Sequence, residues 1–381
     1  MKFVAQKLIA AVLLVLSAEA LGSSQFQKAS YYQVGVEPQQ VVLGDFNNDG
    51  KMDTAAPDTT SLDISILLGN GDGSFQPALT VSAGAGPSAL ATGDFNHDGL
   101  LDLAVTEYGL GGPGYLQVFL GKGDGTFTLA NTYTIGVLPY DITLADFDGD
   151  GNLDVATANN GVNAVSILFG NGDGTFRQPV HYFSPLPERV LAADLNGDGH
   201  PDLISLAYCG PSPKHCHSGS VQVWLNQGNG TFGSSTYFSV MGVGPDGVAA
   251  ADFNNDGKLD LAVANNNFQA ASVVSILLGN GDGTFQPAVT YSVGGGPAGI
   301  AIADFNQDGR LDLAVANTGT SNVSLLYGNG DGTFQAATNI PFPTNSLAIS
   351  VAASDFNDDG APDLGVALSY ANRVAILLNA E

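Results

Sequence analysis

A nine-residue pattern with oxygen-bearing side chains at fixed positions occurs seven times in this chain of 381 residues. The first copy reads Asp45-Phe46-Asn47-Asn48-Asp49-Gly50-Lys51-Met52-Asp53, and the others begin at Asp94, Asp146, Asp194, Asp252, Asp304 and Asp355. Positions 1, 3, 5 and 9 supply carboxylate or amide oxygens, and the glycine at position 6 permits the sharp turn that directs them inward. Hard oxygen ligands at this spacing, with a backbone carbonyl from position 7, suit calcium. The pattern therefore predicts up to seven calcium ions.

The predicted ligands comprise the side chains at positions 1, 3, 5 and 9 of each loop and the backbone carbonyl at position 7. In chain order they are Asp45, Asn47, Asp49, Lys51, Asp53, Asp94, Asn96, Asp98, Leu100, Asp102, Asp146, Asp148, Asp150, Asn152, Asp154, Asp194, Asn196, Asp198, His200, Asp202, Asp252, Asn254, Asp256, Lys258, Asp260, Asp304, Asn306, Asp308, Arg310, Asp312, Asp355, Asn357, Asp359, Ala361 and Asp363.

An alternative interpretation is that these loops are ordinary Asx turns without metal. Every copy keeps at least three aspartates at positions 1, 3, 5 and 9, 22 at these positions in all, and crowding like charges without a cation is costly. This favours calcium in a structural role. An EF-hand is excluded because Ala56 and Val105 stand at position 12, where its glutamate would be, and because the flanking segments are strands rather than helices.

The charge balance is strongly acidic, with 37 Asp and Glu against 11 Lys and Arg and a net charge of -26. Such a chain is repelled by phosphate backbones and anionic lipid, so neither nucleic-acid binding nor membrane docking is expected. Seven calcium ions would add +14 and change -26 to -12. Much of the acidity is thus assigned to the metal loops. A hydrophobic content of 44% excludes a disordered chain.

The N-terminal segment has the pattern of a secretory signal peptide. Lys2 and Lys7 precede the apolar run Leu8 to Leu16, and Ser17-Ala18-Glu19-Ala20 has the small residues of a cleavage site. Residues 1–20 are therefore predicted to be removed. No later run of 18 or more apolar residues is present. We expect an exported protein that is secreted or periplasmic.

A second motif, Gly69-Asn70-Gly71-Asp72-Gly73-Ser74-Phe75, recurs in the same repeats, and short runs of period two or of apolar, β-branched residues lie between the motifs. Four strands per unit and seven units of roughly 50 residues are typical of a β-propeller. The predicted fold is all-β: one domain over residues 21–381, a seven-bladed β-propeller of four-stranded antiparallel blades. Residues 26–36 are predicted to supply the last strand of the blade that contains Asp355 and so to close the ring.

These loops, followed by Val-Ser-Ile-Leu-Leu-Gly-Asn-Gly-Asp-Gly-Thr-Phe, resemble bacterial FG-GAP or VCBS repeats, which are related to the propeller repeats of integrin α subunits. The resemblance covers residues 26–381. It implies a seven-bladed propeller with calcium between the first and second strands of each blade. It implies no single activity, because such propellers serve in adhesion, in glycan binding and as accessory parts of polysaccharide-degrading enzymes.

The loops between second and third strands differ among the repeats, which is expected of a binding surface on a repeated scaffold. They supply aromatic planes and polar groups suited to sugars. The predicted ligand-binding residues are Tyr108, Tyr115, Asn160, Tyr208, Asn266, Phe268, Tyr370 and Arg373. The alternative is that the asparagines form turns and the tyrosines pack locally.

The longest of these loops holds Cys209 and Cys216, with His215 and His217 beside them. A disulfide is predicted for an exported chain, and a Cys/His metal site is the alternative. The acids outside the calcium motifs are scattered through different repeats, namely Asp58, Asp63, Glu107, Asp141, Glu188 and Asp246, and they suggest no catalytic pair.

We therefore predict a monomeric, non-catalytic binding module with an extracellular glycan as its preferred partner. The alternatives are a module that binds a cell-surface protein and a propeller-type polysaccharide lyase.

Overall fold

A computed structural model describes residues 25–208, 219–266 and 272–380. Within these ranges the chain forms 28 β-strands, arranged as seven separate four-stranded sheets. Neighbouring strands within each sheet are antiparallel. The predicted all-β fold of seven four-stranded blades is confirmed.

The first three blades follow the order of the chain. Blade 1 contains β2 (Val42–Gly44), β3 (Asp53–Asp58), β4 (Asp63–Leu67) and β5 (Leu79–Ser82). Blade 2 contains β6 (Pro87–Gly93), β7 (Asp102–Glu107), β8 (Gly114–Gly121) and β9 (Phe127–Gly136). Blade 3 contains β10 (Pro139–Ala145), β11 (Asp154–Asn159), β12 (Ala164–Leu168) and β13 (Val180–Phe183).

The next three blades repeat this arrangement. Blade 4 contains β14 (Pro187–Ala193), β15 (Asp202–Ala207), β16 (Ser220–Trp224) and β17 (Thr236–Ser239). Blade 5 contains β18 (Pro245–Ala251), β19 (Asp260–Asn265), β20 (Val273–Leu277) and β21 (Val289–Ser292). Blade 6 contains β22 (Pro297–Ala303), β23 (Asp312–Asn317), β24 (Asn322–Leu326) and β25 (Thr338–Pro341).

Blade 7 closes the ring with a strand from the other end of the chain. It contains β26 (Ala348–Ser354), β27 (Asp363–Leu368), β28 (Arg373–Leu377) and β1 (Ser30–Gln33). In the antiparallel pair, Ser30 lies opposite Ile376 and Gln33 opposite Arg373. The predicted ring closure is confirmed, and it leaves β28 paired on both sides.

The burial of a strand follows from its position within its blade. The first strands of neighbouring blades contact one another and so surround a central axis. The second strands are buried along their whole length, as in Asp312–Asn317, because adjacent blades cover both of their faces. The fourth strands are largely exposed. Three short 3-10 helices, Gly109–Gly111, Asn160–Val162 and Ser369–Ala371, follow second strands.

Phenylalanine pairs join neighbouring blades. The Phe that ends the second motif packs edge to face on the Phe at position 2 of the preceding blade's aspartate loop, with ring centroids 5.4–6.0 Å apart. The pairs are Phe75–Phe356, Phe127–Phe46, Phe176–Phe95, Phe232–Phe147, Phe334–Phe253 and Phe26–Phe305. Between blades 4 and 5 the loop residue is Leu195, and Phe285 packs on Phe238 instead.

Some predicted features lie outside the described residues, namely the signal peptide at 1–20, Cys209, Cys216 and Phe268. Among the residues that are described, no helix is long and apolar enough to span a membrane.

Candidate metal loops and ligand pockets

Each aspartate loop curls around its own carboxylates. In the first loop, the backbone N–H of Gly50 donates to Asp45 Oδ2 at 2.8 Å, and the N–H of Asp49 donates to Asp45 Oδ1 and Asn47 Oδ1 at 3.1 and 3.0 Å. The bond from position 6 to position 1 recurs in all seven loops. Glycine is needed at position 6 because φ is positive there, at 80° in Gly50. The polar side chains are thereby drawn to the inside of the turn.

The aspartate at position 9 fixes the loop to its blade. Asp53 has no exposed surface, and its two oxygens accept the N–H groups of Phe46 and Gly69 at 2.9 and 2.7 Å. Burial raises the pKa of this carboxyl, the two backbone bonds oppose the rise, and the nearby Asp45 and Asp49 add to it. The same pair of backbone bonds occurs at position 9 of the other six loops.

The donor set of the loops fits calcium. In the third loop, carboxylate oxygens of Asp146, Asp148 and Asp154 lie within 4.8 Å of one another. This loop carries Asp rather than Asn at position 3, and Arg177 forms ion pairs with Asp148 and Asp150 at 3.1 and 3.2 Å. Convergent carboxylate and amide oxygens in a solvent-accessible turn are what a hard cation requires. Calcium there would neutralise crowded carboxylates and hold the turn to the blade.

The predicted ligand-binding residues do not all come together. Tyr108 and Asn160 lie beside the central axis, and Tyr370 lies between blades 6 and 7. The others are dispersed over separate blades: Tyr115 in β8, Tyr208 after β15, Asn266 after β19, and Arg373 in β28 with its guanidinium 5.8 Å from the ring centroid of Tyr31. Of the described members, Tyr108 and Tyr370 thus line two different pockets, Asn160 bonds to a residue of the first, and the other four lie on separate blades.

An axial pocket of about 340 Å³ opens where the first strands begin. Each blade contributes two residues from a repeated segment of the form Pro-x-x-aliphatic, in which blade 7 has Ala348 for the proline. The contributed pairs are Gln39 and Gln40, Ser88 and Ala89, Tyr140 and Asp141, Glu188 and Arg189, Asp246 and Gly247, Ala298 and Gly299, and Ile349 and Ser350. In six blades the pairing with the second strand shifts register at this segment. Such bulges redirect side chains, here toward the axis.

The polar groups of the axial pocket link blades 3, 4 and 5. Arg189 donates to the backbone carbonyl of Asp246 at 2.8 Å and to its Oδ1 at 3.0 Å. Asp141 retains 9% exposure and accepts the N–H of Val190 at 3.0 Å. Glu188 Oε1 accepts from the amide of Asn160 at 3.1 Å. The interpretation of these acids as scattered is wrong, because the packing of blades 3, 4 and 5 around the axis brings three of them to one pocket.

Burial in the axial pocket shifts the pKa values of these groups. Burial raises the pKa of Glu188 to about 7, with Asp246 adding to the rise and Arg189 and Asn160 opposing it. Burial also raises the pKa values of Asp141 and Asp246, while Arg189 opposes the rise at both. The pKa of Tyr108 rises to about 12, chiefly through burial. Its ring packs edge to face on Tyr140, with centroids 5.6 Å apart.

A second pocket, of about 460 Å³, lies between blades 6 and 7 and is called the inter-blade pocket. Its lining combines hydroxyls, one amide and one exposed aromatic ring: Thr318, Gly319, Thr320, Ser321, Thr344, Asn345, Leu347 and Tyr370. Tyr370 is 64% exposed. Both pockets are formed at the ends of the blades opposite the aspartate loops, on what we call the ligand face.

An aspartate loop, a buried second strand and a glycine-rich turn recur around the ring. Comparison with family models identifies the family to which this repeated unit belongs. A family model described as the FG-GAP-like repeat matches residues 45–105, 106–157, 146–205, 208–263, 252–315 and 304–366. The chain belongs to the FG-GAP-like repeat family. In this FG-GAP-like protein each matched segment spans two neighbouring blades, as residues 45–105 run from the aspartate loop of blade 1 into β7 of blade 2.

Individual relatives extend this comparison. Cartilage acidic protein 1 of Xenopus tropicalis is 33% identical over 171 residues, which are 40% of this chain and 25% of that protein. The FG-GAP-like chain thus matches only a quarter of that relative. A solved structure of an Agrocybe aegerita lectin that recognises non-reducing terminal N-acetylglucosamine has 21% identity and a TM-score of 0.55 over 80% of each chain.

Two structures of BBS1N in complex with ARL6DN, soaked with mercury or lead, are also similar. Their identities are 11% and 10% and their TM-scores 0.62 and 0.64, over 94% of this chain and 98% of the other. At these identities the likeness shows a shared fold.

The charged residues of the axial pocket are the ones that sequence reasoning missed. The signal that identifies them is the Pro-x-x-aliphatic segment 4–7 residues before each aspartate loop, as in Pro187-Glu188-Arg189-Val190 ahead of Asp194. Because the segment recurs in register, residues at its two middle positions must face the same axis.

Proposed function

We propose that this FG-GAP-like propeller is an exported, calcium-stabilised, non-catalytic module that binds a glycan on its ligand face. The observation that carries the proposal is the inter-blade pocket, where the exposed ring of Tyr370 borders a lining of hydroxyl and amide groups.

The chemistry of this pocket matches a sugar. A pyranose presents an apolar C–H face and a rim of hydroxyls, so it needs one aromatic plane and several hydrogen-bonding groups. Tyr370 offers the plane, while Thr318, Thr320 and Asn345 offer donors and acceptors without net charge. The lectin from Agrocybe aegerita indicates that a propeller of this general form can carry a sugar site.

The metal part of the proposal rests on the aspartate loops. Their carboxylate and amide oxygens lie on the inside of glycine-containing turns, and position 9 ties each turn to a buried strand. Calcium is the cation that such oxygen donors favour. Its proposed role is to stabilise the ring rather than to contact the glycan, because the loops lie on the opposite face.

A glycan array tests the binding role directly, with residues 21–381 in millimolar calcium. We expect selective binding that Tyr370→Ala abolishes and Tyr370→Phe retains, because the ring supplies the stacking surface; base stacking on aromatic side chains, an analogous contact, is worth about 1–3 kcal/mol. Phe183→Ala is the matched control, since Phe183 is 62% exposed on the outer strand β13.

Two results would contradict the proposal. An empty array from folded, calcium-loaded protein would transfer the binding role to a protein partner. Equal loss of glycan binding in the Tyr370 and Phe183 variants would show that the inter-blade pocket is not the sugar site.

A further inference from the structure

The axial pocket carries an unbalanced charge. Three carboxylates reach it, from Asp141, Glu188 and Asp246, against one cation, Arg189, among the described residues that line it. Arg189 is itself occupied, since its Nε and one terminal nitrogen both bind Asp246. With all three carboxylates ionised, the group has a net charge of -2; burial raises their pKa values, so a bound cation would favour the ionised forms. A desolvated site of this sign favours a cation.

Two of the charged groups have a structural role as well. Asp141 accepts the N–H of Val190 from the next blade, and Arg189 joins blade 4 to blade 5. Similar links occur at the equivalent position elsewhere, where Gln40 accepts the N–H of Leu90 and Ser350 that of Val41. The hydrogen bonds between neighbouring blades therefore explain why Asp141 and Arg189 are present. They do not explain Glu188, whose described bond is to a loop amide of blade 3.

The pocket is also asymmetric. On one side of the axis, Gly247 and Gly299 lie against the neighbouring backbone so closely that a Cβ would come within 1.8 Å of the Ala298 carbonyl oxygen and 2.9 Å of the Ser350 Cα. Between blades 5 and 6 the wall is therefore closely packed backbone. The carboxylates of blades 3, 4 and 5 line the pocket together with Tyr108 and Tyr140. A ligand is thus offered a charged and aromatic wall with open space before it.

We propose that the axial pocket is a second site of this module, which binds a sugar bearing a free, protonated amino group. The ammonium lies near Glu188 and Asp246, and the ring lies beside the two tyrosines. A cation near carboxylates and aromatic faces gains from charge-assisted hydrogen bonds and from cation–π attraction. The sugar part rests on the proposed glycan function, whereas the ammonium part rests on the pocket alone.

Singly charged probes avoid general attraction of polycations to an acidic protein. Methyl β-glucosaminide, methyl β-N-acetylglucosaminide and methyl β-glucoside are titrated into calcium-loaded protein and followed by NMR. The buffer contains about 150 mM salt, so that charges farther away than the Debye length of about 8 Å are screened. We expect the glucosaminide to bind about tenfold more tightly than either neutral sugar, the discrimination expected of one charge-assisted bond.

Variants separate this pocket from the overall field. Glu188→Gln and Asp246→Asn should each lower glucosaminide affinity about tenfold and leave the neutral sugars within about twofold. Glu37→Gln is the control, because it removes one carboxylate from the ligand face outside the axial pocket. Thermal melting confirms that each variant is folded. Glu188, with a single described side-chain bond, is the safer of the two substitutions.

Several outcomes would overturn the inference. The first is equal affinity for the three glycosides, and the second is an equal effect of the Glu37 and Glu188 variants. The third is ethanolamine binding as tightly as the glucosaminide, which would show that the sugar ring contributes nothing to binding. Array binding that depends on Tyr370 without any amine preference would refute the axial site alone. Conversely, amine-dependent binding with an empty neutral array would refute the inter-blade site alone.

Discussion

At the scale of single residues, the last position of the second strand shows how one site is varied around the ring. In blades 3, 5 and 6 it is an asparagine, Asn159, Asn265 or Asn317, whose amide donates to a serine on the third strand at 2.7–2.9 Å. Blade 1 has Asp58 there, with no exposed surface and with Oδ2 accepting from Ser65 at 2.7 Å. Burial, with Asp63 nearby, raises the pKa of Asp58 to about 7. A charged group thus occupies a position built for an amide.

Asp58→Asn is expected to stabilise the protein above neutral pH. A carboxyl with a raised pKa takes up a proton on folding, so its ionisation costs stability as pH rises from about 4 to about 7. The variant should exceed the parent by about 2 kcal/mol at pH 8, a discounted share of about 1.4 kcal/mol per pKa unit, and by little at pH 4. Denaturant melts at both pH values measure this difference.

The reverse substitution in blade 3 provides the matched control. Asn159→Asp should destabilise the protein at pH 8 and much less at pH 4, because it creates the same buried carboxyl. A gain from Asp58→Asn that does not depend on pH would contradict the ionisation argument.

At the scale of elements, the phenylalanine pairs join blades that share few backbone bonds. Four of the six Phe–Phe pairs, such as Phe176–Phe95, connect consecutive blades along the chain. The Phe75–Phe356 pair crosses the join between blade 7 and blade 1. The sixth pair, Phe26–Phe305, anchors the segment that leads into β1 to blade 6. Phe26 is 4% exposed and also forms a bridge to Asn379. This contact holds the closing strand at its start.

Phe26→Ala and Phe176→Ala should differ in where they loosen the fold. Each removes a buried ring and should cost about 3 kcal/mol of unfolding free energy, measured by denaturant melts. Phe26→Ala should also raise amide hydrogen exchange in β1 and β28, because those strands lose their anchor. In Phe176→Ala, amide hydrogen exchange in β1 and β28 should not increase more than exchange in the other strands. Identical exchange maps for the two variants would show that the ring has no preferred opening point.

At the scale of the whole molecule, the predicted metal ligands are separated from the pockets. The aspartate loops place 22 of the 37 acidic residues at their ligand positions on one face, and both pockets open at the other. Without cations, mutual repulsion among the loops opposes the compact ring. The ligand face can therefore be varied without disturbing the loops that stabilise the blades.

Removal of calcium is expected to lower the melting temperature. A site that is saturated at about a hundred times its dissociation constant adds about 2.7 kcal/mol to stability, and seven sites act together. Calorimetric scans in calcium and in excess EDTA measure the change, and added calcium should restore the original transition. Raising sodium chloride serves as the control for simple screening. An unchanged melting temperature in EDTA would refute the structural role of calcium.

The blades could be predicted well from the sequence because every repeat has the same spacing of turn motifs and strands. The spacing of Asp45 and Phe75 defines two turns, and the intervening period-two segments define the strands. The axial pocket was not predicted, because Asp141, Glu188 and Asp246 lie in three different repeats and meet only when blades 3, 4 and 5 pack around the axis. Tyr108, Asn160 and Tyr370 lie at or beside the pockets because their loop positions were inferable, whereas the direction of each side chain was not.

The pairing of Ser30 with Ile376 also determines the order in which the blades can be completed. The ribosome synthesises β28 some 340 residues after β1, so β1 has no partner while six blades are being made. Long-range pairing of this kind is slow, because loop closure precedes any gain from the contact. Completion of blade 7 is then the last event in the maturation of the ring, and a chain stalled before that point exposes an unpaired strand edge that invites association with other copies.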